Sequence, residues 1–166
     1  MTDYFETRPW RPDDLNVLRE SESLFPPVTY PQRFLAGNRR LRPLHQKVSA
    51  QLAAAGRSWM GQVALQENRV VALAECAWDP AALESPTLAV NVAQAWQGSE
   101  LGGKVLGQLV GRCLDLGVAT FNLDYAASST TLQSLVDSVR AETGAHFQQS
   151  GTTRAGIGLV TLRAAK

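Results

Sequence analysis

Ala89-Val90-Asn91-Val92-Ala93-Gln94-Ala95-Trp96-Gln97-Gly98-Ser99-Glu100-Leu101-Gly102-Gly103-Lys104 reads as a strand, a turn with three glycines and the start of a helix. Such a turn can aim several backbone N–H groups at one anion, and the helix dipole adds a field of about 0.3–1 kcal/mol per charge. A diphosphate fits that description. Gly98, Gly102 and Gly103 equally suit a tight strand-to-helix turn and close packing, and the turn's composition leaves both explanations open.

Downstream of the turn, Gly102 to Leu116 carries Val105, Leu106, Leu109, Val110, Cys113 and Leu114 on one side. Lys104, Gln108, Arg112 and Asp115 fall on the other, the pattern of an amphipathic helix stopped by Gly117. Val118 to Tyr125 then reads as a strand. Leu132, Leu135, Val136 and Val139 mark another helix, started by Ser128 or Ser129 and ended near Gly144. His146 to Gln149 and Ile157 to Leu162 are the last strand candidates. Upstream, Ser58 to Leu65, Arg69 to Trp78 and Thr87 to Ala93 form an antiparallel meander, with a tight turn at Glu67-Asn68 and a loop holding Pro80 and Pro86.

At the N-terminal end a short segment around Thr7 to Arg11 precedes a helix begun at Pro12, with Asp13 and Asp14 at its positive end, ending before Pro26-Pro27. A second helical stretch runs from Pro31 through Leu35, and Leu41, Leu44, Val48 and Leu52 then recur on one face up to Gly56. The resulting order is one strand, two helices, three strands, a helix, a strand, a helix and two strands. It describes a mixed α/β sheet in which a meander is followed by one helical crossover and therefore one parallel strand pair. Open α/β sheets bind ligands at the carboxyl end of such a strand, which returns attention to residues 87–104.

The chain has 166 residues, 45% of them hydrophobic, with 16 basic and 15 acidic side chains. This is the length and composition of one globular domain, residues 1–166, and its balanced charge announces no nucleic acid or membrane partner. Cys76 and Cys113 lie inside apolar patterns, and His45 and His146 are the only histidines. No C-x-x-C or H-x-x-x-H spacing exists, so no metal site or disulfide framework is expected. The acidic start Met1-Thr2-Asp3-Tyr4-Phe5-Glu6 is unlike a signal peptide, and the expected location is cytoplasmic. Arg33, Arg39, Arg40, Arg42 and Lys47 form one basic cluster, read as a solvated helix face or else a contact for phosphates, for an acidic substrate or, least favoured for want of aromatic interleaving, for nucleic acid.

The turn, its flanks and the element order together resemble the GNAT superfamily of acyl-CoA-dependent N-acyltransferases, whose phosphate-binding signature is [QR]-x-x-G-x-[GA]. Gln97 stands first in that frame, Glu100 occupies the glycine position and Gly102 stands last. Thr7-Arg8-Pro9-Trp10-Arg11-Pro12-Asp13-Asp14 resembles the family's opening strand and helix. Tyr30-x-x-Arg33-Phe34 is similar to a segment of bacterial GNATs related to protein lysine acetyltransferases. The resemblance implies a central mixed sheet of about seven strands flanked by about four helices, and an acetyl-CoA-dependent N-acetyltransferase acting on a primary amine by direct attack. It implies pantetheine on the backbone of Val90 and Val92, and the diphosphate over Gln97, Gly98, Ser99, Glu100, Leu101, Gly102, Gly103 and Lys104. A homodimer is compatible with it.

Three departures bear on activity. Glu100 puts a carboxylate where the diphosphate is expected, at a position where the family's glycine can adopt a positive φ. Thr87 stands where related sequences often carry a glutamate base, and the asparagine and tyrosine of the helix after the next strand are missing. Glu75, interrupting the apolar run Val70 to Trp78, is the replacement base, or else a salt-bridged glutamate paired with Arg8 or Arg11. Thr87 and Asn91 share a face of the neighbouring strand and are candidate substrate contacts. The alternative function is a catalytically silent GNAT-like domain that binds acyl-CoA, another small ligand or a protein partner.

Overall fold

Glu67 and Asn68 close the first hairpin with φ of 50° and 61°, the two left-handed residues that let a two-residue turn follow the strand twist. They join β2 (Ser58–Gln66) to β3 (Arg69–Trp78). In this computed structural model the described residues are 4–26, 43–54, 58–79, 85–126, 131–154 and 157–165. The expected helical stretch Pro31 to Leu35, the Tyr30-x-x-Arg33-Phe34 segment, the arginines of the basic cluster, Gly56, Pro80, Ser128 and Ser129 lie outside them.

The remaining strands are β1 (Glu6–Pro9), β4 (Thr87–Val92), β5 (Thr120–Ala126), β6 (Phe147–Arg154) and β7 (Ile157–Ala164). They form a 7-stranded sheet in the order β1-β2-β3-β4-β5-β7-β6. Every neighbouring pair is antiparallel except β4 with β5. The meander and the single parallel pair expected from the sequence are both present. The helices are α1 (Asp14–Glu20), α2 (Leu44–Ala53), α3 (Leu101–Asp115) and α4 (Thr131–Thr143).

Side-chain alternation assigns the helices to faces. Glu75 on β3 reaches Lys47 on α2, so odd-numbered β3 positions face that helix. Met60 lies opposite Cys76 on β2 and contacts Cys113 of α3, so even-numbered ones face α3. Val105, Leu106, Leu109, Val110 and Cys113 are fully buried in the core beneath α3. Its polar side is less solvated than the sequence suggests. Arg112 Nη1 donates to the Gly61 carbonyl at 2.9 Å and to Gln62 Oε1 at 2.8 Å. Gln62 in turn donates to Gln108, which donates to Thr7, so the outer flank of α3 grips β1 and β2. On α2, Leu44 and Val48 are buried as expected, whereas Leu52 is 47% exposed; that helix ends at Ala53, where Leu52 no longer meets the sheet.

Asp14 stands in the first turn of α1 yet is 2% exposed. Arg8 holds both its oxygens, each at 2.7 Å, and the Arg11 N–H donates to it at 2.7 Å. Burial, the largest single influence, opposes ionisation. The hydrogen bonds from Arg8 and from the Arg11 backbone, with the charges of both arginines, outweigh it and hold the carboxyl below its ordinary value. A carboxyl titrating lower in the folded chain than in the unfolded one stabilises the fold above the unfolded value, and that stability drains away as pH falls through the folded one. Asp14→Asn should therefore unfold more easily than the parent at neutral pH, and acid titration followed by circular dichroism should show the gap closing toward pH 3 and below.

Candidate functional site

Strands β4 and β5 pair only at Thr87 with Asn122 and Leu88 with Leu123, after which they part. The β4 edge beyond Leu88 is therefore open. Ala93 N–H donates to the Val71 carbonyl at 2.8 Å, so 89, 91 and 93 turn their backbone groups toward β3. By alternation Val90 and Val92 turn theirs into the opening. The Gln97 amide, donating at 3.4 Å to the Val92 carbonyl, reaches the same edge.

Past Val92 the chain makes a 3-10 turn, Gln94–Trp96, whose Trp96 packs edge-on against Phe5 with ring centroids 4.6 Å apart. Gly98 supplies the one positive φ of the turn, +80°, and open space surrounds it. Glu100, the N-cap of α3, has φ −76°. No left-handed backbone is required there, so the glutamate fits this turn without strain, and its side chain is exposed. Ser99 Oγ accepts the Leu101 N–H at 3.3 Å, and Lys104 N–H bonds the Glu100 carbonyl at 3.0 Å. The N–H groups of Gly98, Glu100, Gly102 and Gly103 have no hydrogen-bond partner among the described residues. Four donors thus stand free at the positive end of a 15-residue helix.

Packing also accounts for two of the glycines. A Cβ on Gly102 would come within 2.9 Å of Val92 Cγ2, and one on Gly103 within 2.3 Å of Ser138 Oγ. Gly102 thus brings the start of α3 close against the opening of β4, where Val90 Cγ2 also lies 3.8 Å from that Cβ position.

On the other face of the sheet, Thr87, Ala89 and Asn91 lie opposite Ala77, Glu75 and Leu73. Thr87 and Asn91 are half-buried, and Glu75 is 3% exposed. One Glu75 oxygen pairs with Lys47 Nζ at 3.3 Å, and the other accepts the Trp59 indole N–H at 3.1 Å. The partner expected at Arg8 or Arg11 is instead Lys47, because Arg8 is committed to Asp14. Gly61 makes this arrangement possible: the Trp59 ring folds back over it, with Cη2 2.4 Å from where a Cβ would stand. Both carboxylate oxygens are thus engaged, one by an ion pair and one by an indole N–H. Two further polar residues share this face without having been singled out. Asn122, opposite Thr87, accepts a hydrogen bond from Thr161 at 3.0 Å and donates to the Ser85 carbonyl at 3.4 Å. The alternation Thr120-Phe121-Asn122-Leu123 is the signal that could have found Asn122.

No family model and no curated protein matches this chain in sequence. Solved structures do match in shape. The GNAT domain of PAT from S. lividans superposes with a TM-score of 0.63 at 16% identity, covering 95% of this chain and 89% of that one. The ribosomal-protein-S18-alanine N-acetyltransferase of Escherichia coli gives 0.62 at 18% identity over 98% and 96% of the two chains. YncA of Salmonella typhimurium, solved with its cofactor acetyl-CoA, gives 0.63 at 15% identity over 98% and 95%. With a parallel pair that opens after two residues, a glycine turn at its mouth and, among the described residues, a 7-stranded mixed sheet flanked by four helices, the chain has the fold of the GNAT acetyltransferases.

Proposed function

We propose that this protein is an acetyl-CoA-dependent N-acetyltransferase that passes an acetyl group to a primary amine by direct attack. The observation that carries this reading is the open β4 edge ending at four unpaired N–H groups. Val90 and Val92 present peptide donors and acceptors to a pantetheine arm, and Gln97 gives up the Val92 carbonyl when the arm binds. The turn from Gln97 to Lys104, including Ser99, Leu101 and the exposed Lys104, receives the diphosphate. The thioester then lies between the parting strands, where the Val90 N–H stabilises the oxyanion formed as a neutral amine attacks the carbonyl carbon. Thr87 and Asn91 line the acceptor's side. With Glu75 held by Lys47 and Trp59, the amine proton passes to water, and Glu75 acts as a positioning residue that fixes α2 over the sheet.

Titration calorimetry with acetyl-CoA and with desulfo-CoA tests the binding half; both should release heat, and millimolar ligand giving neither heat nor a thermal shift overturns the reading. Because Glu100 needs no special backbone, only its charge opposes the diphosphate. Glu100→Gln should tighten desulfo-CoA binding by about threefold at low salt, with the gain vanishing at high salt. The engaged Glu75 carboxylate favours a second reading, a domain that holds acyl-CoA without turning it over. Release of free thiol from acetyl-CoA across a panel of primary amines separates the two.

A further inference from the structure

The two edges of the sheet are built differently. β1 is four residues long, carries Glu6 and Arg8, and ends on Pro9, which has no N–H to offer. β6, the other edge, runs through eight residues, Phe147–Arg154, with no register shift against β7. It holds no proline, and its one charge is Arg154 at the far end. Proline, bulge and internal charge, the devices that keep an edge from pairing with another chain, are thus absent from it.

The Ala165 N–H donates to the His146 carbonyl at 2.8 Å, so even-numbered β6 residues turn their backbone groups toward β7. By alternation Phe147, Gln149, Gly151 and Thr153 turn theirs outward. Arg140 of α4 closes one end by donating to the Phe147 carbonyl at 3.3 Å. Among the described residues nothing bonds the N–H and C=O groups of Gln149, Gly151 and Thr153, and this open stretch is centred on Gly151. We propose that β6 pairs antiparallel with β6 of a second copy about a two-fold axis at Gly151, joining the two sheets edge to edge.

A two-fold at that residue sets Gln149 opposite Thr153, Gly151 opposite Gly151 and Thr153 opposite Gln149, pairs that each exchange two hydrogen bonds. Glycines meet at the axis, so no side chain crowds it. Between them Ser150 stands opposite Thr152, and Gln148 opposite Arg154, so no like charges face each other. The contact is isologous and stops at two copies, because the charged, proline-ended β1 edges left outside do not extend the sheet. The order β4-β5-β7-β6 puts two strand spacings between β5, at the opening, and this edge. A peptide acceptor seated there would not reach the thioester, which favours a second copy as the occupant.

Sedimentation velocity of the full chain over a concentration series should show a monomer–dimer equilibrium, and hydrogen exchange should show the Gly151 and Thr153 amides slowed as the dimer fills. Gln149→Pro removes an outward N–H and leaves the ladder to β7 intact; it is expected to sediment as a monomer with the circular dichroism of the parent. Two double variants test the register without touching the backbone. Gln149→Lys with Thr153→Lys sets like charges opposite each other and should lose the dimer, whereas Gln149→Lys with Thr153→Glu sets opposite charges there and should keep it. A parent that stays monomeric, a dimer that survives both Gln149→Pro and the first double variant, or a second double variant as monomeric as the first would each overturn the proposal. So would protection of the two amides that arises only when an extended peptide is added.

Discussion

Gly103→Ala is expected to loosen α4 from α3 and to lower stability by about 2 kcal/mol, as overpacking at a closed contact does. The added Cβ would sit 2.3 Å from Ser138 Oγ and 2.4 Å from Ser138 Cβ. Rotation about the Cα–Cβ bond can carry Oγ away, but Cβ is fixed to the backbone of α4, so the helix itself must move. Intrinsic helix propensity runs the other way, favouring alanine over glycine by about 1 kcal/mol, and a net loss therefore identifies packing as the cause. Two companion variants fix the sign. Gly111→Ala places its Cβ 3.8 Å from Thr143 Cγ2, an ordinary contact, and should stabilise. Adding Ser138→Gly to Gly103→Ala leaves the Ser138 Cα, at 3.9 Å, as the nearest atom, and should recover part of the loss. Urea denaturation of the four proteins checks the set, and equal losses for Gly103→Ala and Gly111→Ala would show that the close approach is not what the glycine serves.

The same glycine shows where sequence reading reached and where it stopped. The turn from Gly98 to Gly103 was legible as a special backbone segment, but from spacing alone one glycine looks like another. Gly98 is there for its φ of +80°, Gly102 and Gly103 for the approach of Val92 and Ser138. That distinction depends on partners outside the turn, Val92 on β4 and, far along the chain, Ser138 on α4. Strand β3 was legible to the residue, Arg69 to Trp78, because an apolar run bounded by a two-residue turn has few alternatives. For strand β6 the sequence pattern predicts His146 to Gln149, whereas the strand spans Phe147–Arg154. Gln148, Gln149 and Ser150 are exposed, and this edge strand is held by its ladder to β7, which leaves no hydrophobic period to see. Glu75 was recognisable as out of place in an apolar strand. Its partner was not, since Lys47 sits on a helix separated from β3 by a whole strand, and nothing local distinguishes it from Arg8 or Arg11.

Lys47→Met should cost about 3 kcal/mol, because it strands the Glu75 carboxylate in a site where, among the described residues, the Trp59 N–H is the one donor left to it. The side chains of the pair are 13% and 5% exposed, so water cannot replace the lost ammonium. Glu75→Gln should cost less, about 1–2 kcal/mol, since the long Lys47 stem can carry its charge outward. The double variant is expected to be more stable than the sum of the two losses predicts, by about 2 kcal/mol, as befits two groups whose burial each depends on the other. Simple addition would mean that the pair contributes nothing beyond its separate contacts. Activity reads the pair independently of stability. A positioning role requires both single variants to lower kcat/KM through a displaced α2 while leaving the shape of its pH dependence unchanged. Loss of the acidic limb in Glu75→Gln alone would instead make Glu75 the group that takes the proton from the amine, and would mean that Lys47 releases it during turnover.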